Sequence, residues 1–378
     1  MQYDQPMQPP ADATFERNGA ADRPAPARNS PAAPIDAAVR SVLVAAQVAT
    51  VLLTWRVWEP RDFPPMLPLV ALPAFPAGWA MLASLAVVLV RPRVGVPLHA
   101  GVLAVAIIAD QSRMQPHVIS IATLLWATTG SAGGLLVARA SLAALWAYAG
   151  IHKLTSPAYY GTTGPWLLAA VCPGGPAWLA AVIAVAVAVT EILMGGCCFV
   201  PRRRRQVAVV AAVFHLATFA VLAIRLHWNQ AVWPWNLALA AAGPAIVLTW
   251  KGRGLGHEWA ATTRAVRTIA VTLLLMPVGY WLGIVDAFLA HCLYADNRPK
   301  AYVCTPFSRT DLDAVCIRLG VVLPPAHRLY GPFFRGVGRP GEWLEVEDPR
   351  WIARACGFDR RTIAWDEVAG PTPPAPKP

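Results

Sequence analysis

Apolar runs of roughly 20 residues, the length a helix needs to cross a bilayer, recur from residue 36 to residue 290, separated by short polar turns. This pattern predicts about nine membrane-spanning helices, near 37–57, 74–91, 95–111, 117–133, 134–153, 176–200, 206–226, 231–250 and 265–289. The fourth is interrupted by Thr128 to Gly134, TTGSAGG, so spans four and five read as a broken pair or a re-entrant hairpin. Such backbone is tolerated only where it packs inside protein, and Tyr159 to Val171 offers a further dip into the membrane. From His291 the pattern changes to mixed charge with short alternating stretches. Lys300 to Thr305 and Trp343 to Val346 read as strands, Thr310 to Leu319 as a helix capped by Ser308 or Thr310, and Asp348 to Ala355 as another. The predicted architecture is an all-α polytopic membrane bundle, residues 36–290, with a small α+β extracytoplasmic C-terminal domain, residues 291–368. The Pro/Ala-rich residues 1–35 and the tail 369–378 bury too little to order themselves and are expected to be disordered.

Composition supports a membrane protein: 56% of residues are hydrophobic and 14% charged, against roughly 25% charged in soluble domains. The net charge of +11 does not mark a nucleic-acid partner, because the basic residues fall mostly in alternate loops and no basic patch carries interleaved aromatics. With the N-terminus in the cytoplasm, one set of loops holds fifteen Lys and Arg, among them Arg91, Arg139, Arg202 to Arg205 and Arg264, while the other holds five, Arg56, Arg61, Arg113, Lys153 and Arg225. That bias predicts a multi-pass cell-membrane protein, N-terminus inside and C-terminal domain outside. No h-region with a cleavage site opens the chain, so the first span is expected to direct insertion. Cys292, Cys304, Cys316 and Cys356, with Cys172, would face the oxidising side, where one or two disulfides are expected without a pairing being readable. Cys197 and Cys198 fall near the cytoplasmic end of span six and are expected to be reduced. No CxxC spacing supports a thioredoxin-like or metal site.

Four polar clusters interrupt the apolar pattern. The first is Asp110 to His117, DQSRMQPH, where Asp110 and Arg113 can form a local ion pair. In the second, His152 and Lys153 end an apolar helix just before Pro157, with Ala149 and Gly150 on the lysine's face. Lys153 is either a snorkelling anchor or a functional group, since an unaided charge at bilayer depth costs roughly 2.5–3.5 kcal/mol even on the permissive scale. The third is Glu191 and His215, each nine residues from the PRRRR turn, hence at equal depth and expected to pair, whether as a clamp or as chemistry. The fourth is Arg225 to Asn236 followed by Asp286, an aromatic belt with a snorkelling arginine on one reading. Asp110, His117, Lys153, Arg225, His227, Asn236 and Asp286 all map to the outer half of the bundle, and with His152 they outline a ligand pocket.

Ala147 to Leu154, AYAGIHKL, with Gly161 eight residues after Lys153 and with His117 seven after Asp110, resembles the horizontally transferred transmembrane domain family, which includes the vitamin K-dependent gamma-carboxylase. The resemblance covers residues 36 to 290 and implies Lys153 as a base toward a quinol, assisted by His117 and Asp110. It departs where Ala158 replaces an aromatic and Tyr159 stands next to it. A tail of this size leaves no room for a propeptide-binding portion, so carboxylation of a protein is not implied. Glu191 to Gly195, an E-x-x-x-G run, together with the lysine is also similar to DoxX-type, redox-associated membrane proteins.

Two functions follow. A lysine stripped of water can act as a base near neutral pH, so the chain can bind or oxidise a quinol or another lipophilic molecule entering from the bilayer. Alternatively it is a non-catalytic scaffold whose outer domain docks an extracytoplasmic protein partner. A transporter is disfavoured by the lack of matched broken repeats.

Overall fold

A computed structural model describes residues 34–249, 255–295 and 297–369. The expected loose termini, apart from residues 34, 35 and 369, and the basic residues Lys251 and Arg253 lie outside the described residues. Helix α1 (Pro34–Leu53) runs into the one-turn α2 (Trp55–Trp58), and α3 (Ala77–Val90) turns back through Arg91 into α4 (Pro92–Ala109). Next come α5 (Pro116–Leu124), α6 (Ala132–Leu154), α7 (Gly164–Val171), α8 (Ala177–Cys197), α9 (Arg204–Ala220), α10 (Trp233–Leu248), α11 (Leu255–Ala260) and α12 (Arg264–Leu275).

Among the described residues six stretches are long and apolar enough to cross a bilayer: Asp36–Leu53, Pro92–Ala109, Ala132–Leu154, Ala177–Cys197, Pro201–Arg225 and Gln230–Leu248. The expected count of about nine is therefore not reached. Three of the anticipated spans are cut short by their own sequence. Ala77–Val90 has 14 residues because Pro76 precedes it and the α3–α4 turn follows. The fourth has nine helical residues, then a 3-10 turn, Leu125–Thr129, ending at Gly130 in the left-handed region. The ninth stops after 12 residues at Leu275, where Met276–Tyr280, carrying Pro277 and Gly279, tightens into 3-10 geometry.

The C-terminal unit is a four-stranded antiparallel sheet, order β2-β1-β3-β4, made of β1 (Lys300–Thr305), β2 (Ser308–Asp311), β3 (Trp343–Glu347) and β4 (Arg360–Ala364). Helices α13 (Leu312–Arg318), α14 (His327–Val337), α15 (Trp351–Ala355) and α16 (Trp365–Ala369) accompany it. β1 and β3 match the predicted strands. β2 and β4 were not readable, because SRTD and RRTIA are mostly solvent-exposed and lack alternation. Asp311, not Ser308 or Thr310, caps α13, its side chain accepting from Asp313 N.

This unit shares a hydrophobic core with the bundle. Val51, Trp58, Leu67 and Met81 pack in one cluster with Leu312, Phe333, Phe334 and Leu344. Polar contacts reinforce the joint. Arg328 donates to both oxygens of Asp286 at 2.6 Å, Gln115 donates to Val322 O, and Arg350 lies over the Tyr280 ring and donates to its carbonyl. Asp348, fully buried as a side chain, accepts from Arg350 at 2.6 Å and pairs with His327 at 2.7 Å. Burial alone would raise this carboxyl. The His327 and Arg350 hydrogen bonds outweigh that and hold it at about 2.

α6 and α8 approach closely because both present small residues. A Cβ on Gly150 would lie 2.4 Å from Ala188 O, and one on Gly195 2.6 Å from Ala143 O. Backbone cannot yield as a flexible side chain does. Gly150→Ala and Gly195→Ala are therefore expected to destabilise the protein by about 1–3 kcal/mol, whereas Gly196→Ala, which meets nothing within 4 Å, should not. Thermal unfolding in detergent compares the three. A second expectation concerns acid. Asp348 has a depressed carboxyl, so its contribution is full above the ordinary carboxylate value near 3.8 and is lost as pH falls toward about 2. Wild type should lose roughly 2 kcal/mol more than Asp348→Asn across that window, read as the difference between their pH–stability profiles.

Candidate functional site

The site begins with α6. Ser131 caps it by accepting from Gly134 N, and Thr155 and Pro157 end it, so His152 and Lys153 fall in its last turn, where the helix dipole favours cations. Gly150, three residues earlier, lets α8 come into backbone contact on that face. On α8 the buried stripe Ala180, Ala184, Ala188, Glu191 and Gly195 faces inward, with Ala188, Glu191 and Gly195 against α6 and Ala180 and Ala184 against Gly164 of α7. The result is a buried ion pair: Lys153 Nζ donates to Glu191 Oε1 at 2.8 Å and to Oε2 at 2.5 Å, with side chains 5% and 10% exposed. Lys153 thus turns inward and does not snorkel.

The expected Glu191–His215 pair does not form. Both side chains line one chamber, but Glu191 lies on the α8 face that the glycines press against α6. His215 instead accepts from Trp146 Nε1 at 3.0 Å through Nε2 and sits 3.1 Å from Asn236 Oδ1 through Nδ1. Trp Nε1 can only donate and Asn236 Nδ2 already donates to Val232 O. Hydrogen-bond logic therefore assigns the proton to Nδ1 and a neutral ring.

These groups wall a chamber of about 250 Å³, lined otherwise by apolar side chains such as Leu145, Ile183, Val187 and Phe214. Trp166, Val171 and Trp228, all exposed, lie on its walls and open it to the surface. Tyr159 begins a single π-helical turn, Tyr159–Thr163, a geometry frequent at functional sites. Its side chain is fully buried against the chamber, and its hydroxyl has no hydrogen-bond partner among the described residues. Sequence reasoning noted Tyr159 as the aromatic beside Ala158 and as the start of a stretch that dips into the membrane. Its position six residues after Lys153, past the break at Pro157, was the available signal.

The other predicted residues divide. Asn236 lines the chamber, and His152, stacked on Trp281 at 4.5 Å and donating to Ala290 O, braces it from behind. His117 lines a neighbouring cavity, its Nε2 buried and without a partner among the described residues. Asp110 is not brought to His117. It accepts from Arg61 at 2.7 Å, from Ser112 and from Leu67 N, while Arg113 caps the carbonyls of Val57, Ala106 and Glu59. The DQSR segment is thus a clamp for helix ends, missed because its partners lie up to 56 residues away. Asp286 binds Arg328 outside the chamber, Arg225 donates to Ala170 O, and His227 is exposed. Arg139, fully buried and paired with Glu258 at 2.5 Å, anchors the opposite end of α6.

The expected disulfides are absent among the described residues, where every cysteine is free. Cys292 donates to Asn297 O, Cys304 sits in β1, Cys316 in α13, and Cys356 is exposed after α15, so different layers hold them apart. Burial pushes the Cys292 and Cys316 thiols up to about 12, which keeps them protonated and unreactive.

These features define an integral membrane helical bundle with a buried ion pair in an apolar, surface-open chamber. Residues 131–232 match the family model of MauE, described as methylamine utilisation protein. That segment carries Lys153, Tyr159, Glu191 and His215, about a quarter of the chain. No curated protein and no solved structure matches. The match replaces both resemblances read from short motifs: the chain is MauE-like over this segment, not a horizontally transferred transmembrane domain or DoxX-type protein. Asp110 and His117, half of the motif that suggested the former, lie outside it.

Removing one partner of a buried pair strands the other charge. Glu191→Gln is expected to cost about 3–5 kcal/mol, while the double variant Lys153→Met with Glu191→Leu is expected to fall close to wild type. Comparing unfolding midpoints of the two variants in one detergent checks this; equal losses would mean that the pair is not the buried unit described.

Proposed function

We propose that this membrane protein holds a lipophilic ligand whose hydroxyl or carbonyl head group meets Lys153, Glu191 and Tyr159. The observation that carries this reading is an ion pair kept from water on the wall of an apolar chamber, beside a buried tyrosine hydroxyl still in need of a partner. Buried polar groups are normally satisfied, and a few convergent polar groups in an apolar cavity describe a small-molecule site. In this reading Lys153 orients and polarises the head group rather than acting as a free base, because Glu191 already holds its ammonium. Oxidation of a quinol rested on a resemblance that the family match replaces, and no step of that kind is assigned. The description of MauE places that family in methylamine utilisation. A small ammonium would have to displace Lys153 from Glu191, which disfavours it as this chamber's occupant. The loop charge bias supports placing the N-terminus in the cytoplasm and the C-terminal unit outside. Phe307, 97% exposed at the tip between β1 and β2, supports a second role for that unit, docking an extracytoplasmic protein.

Native mass spectrometry of the full chain released from nanodiscs tests the ligand reading. Wild type should retain a lipophilic adduct, and the double variant Lys153→Met with Glu191→Leu should release it while remaining folded. An adduct-free wild type, or one whose adduct ignores the substitutions, would overturn it.

A further inference from the structure

The chamber adjoins a second cavity of about 840 Å³ beneath the C-terminal unit. Thr163, Trp166, Trp228, Trp235, Leu293 and Tyr294 line both, so the two share a wall, in which Trp166 and Trp228 pack edge to face at 5.4 Å. The outer cavity is bounded by the ends of bundle helices on one side and by α13 with the segment after it on the other. Its walls are mixed: Leu226, Val232, Phe288, Val321 and Leu323 give it an apolar stretch, and Gln115, His117, Asn229, Arg298 and Asp313 bring polar groups to the rest. An apolar stretch beside a few polar groups is the usual character of a small-molecule site.

Size points the same way. Small-molecule sites usually enclose roughly 300–1,000 Å³. The inner chamber, about 250 Å³, falls below that range by itself. With the outer cavity added, the space suits a molecule much longer than its head group.

We infer that the ligand is a long-chain amphiphile. Its hydroxyl-bearing head lies against Lys153, Glu191 and Tyr159, and its hydrocarbon chain runs over the packed Trp166–Trp228 pair into the outer cavity, under the C-terminal unit. This rests on the ligand reading above and adds the class of molecule and the path of its chain. The C-terminal unit is then part of the binding site, covering the chain that the bundle does not enclose. The chain leaves the bilayer, which distinguishes this arrangement from a lipid whose head docks while its tail stays in the membrane.

Photolabelling of the full-length protein in nanodiscs separates the possibilities. Two para-dodecylphenols serve as probes, one with a diazirine beside the ring and one with a diazirine at the end of the chain. The ring-side probe should label Tyr159, Ile183 or Val187, and this labelling should disappear in the double variant Lys153→Met with Glu191→Leu. The chain-end probe should label Phe288, Val321 or Leu323. In Ile317→Trp, which narrows the outer cavity from an exposed position, chain-end labelling of those three residues should be lost and ring-side labelling kept. Chain-end adducts on the outward-facing Val185, Val189 or Val213, with ring-side labelling intact, would overturn this inference and leave the ligand reading standing. Failure of the ring-side probe to label the chamber would overturn both.

Discussion

The fold turns on one electrostatic constraint: an ammonium and a carboxylate placed where neither can be hydrated. Moving either charge out of water costs several kcal/mol, and attraction offsets that cost only at hydrogen-bond distance with good geometry. A glutamate side chain is short. It reaches Lys153 because Gly150 and Gly195 let the α6 and α8 backbones meet, with Ala143, Ala147 and Ala188 filling the seam. Packing by small residues is the usual means of joining helices in lipid, where no hydrophobic force drives them together. Here the same packing sets the ion-pair distance. Because the pair is neutral as a unit, the rest of the chamber can remain apolar.

Buried polar groups elsewhere serve a different end, and their hydrogen bonds show it. Trp146, His215, Asn236 and the Val232 carbonyl form one directed chain across α6, α9 and α10. Arg113 closes helix ends, and Arg139 pins α6 to Glu258 and to the Ile246 carbonyl. In such networks each satisfied member fixes the next, so they hold geometry rather than offer chemistry. Tyr159 Oη, His117 Nε2 and Trp235 Nε1 differ from these: their residues line cavities, and the atoms are buried without a partner among the described residues.

Much of this was legible in the chain, and the failures share a cause. The apolar runs located the bundle, and Lys153 at the end of an alanine- and glycine-rich helix pointed to the buried ion pair. Glu191 was recognised as out of place but given the wrong partner. Loop symmetry fixes depth and says nothing about which way a helix faces; the Ala180, Ala184, Ala188 and Gly195 stripe held that information. Asp110 and His117, seven residues apart, looked like a functional couple, yet Pro116 starts a new helix between them and sends each side chain to different neighbours. The strands β2 and β4 escaped notice because edge strands exposed to water need no apolar alternation. Short motifs misled on ancestry for the same reason they misled on pairing: a few residues at matching spacing do not specify what packs against them.

The C-terminal unit is the least expected part of the architecture. Read from sequence it was a small domain packed on the outer face, and Phe333, Phe334 and Leu344 in fact share a cluster with Trp58 and Met81 of the bundle. A unit docked only by its surface would move freely against the membrane portion. One whose hydrophobic core merges with the bundle, and whose Arg328 and Arg350 bind Asp286 and the Tyr280 carbonyl, is held in a single orientation. That orientation keeps the outer cavity roofed. Tyr280 and Trp281 at the joint also pack on His152, the neighbour of Lys153. The roof and the ion pair are therefore braced by the same few aromatic contacts, and a disturbance at either should be felt at the other.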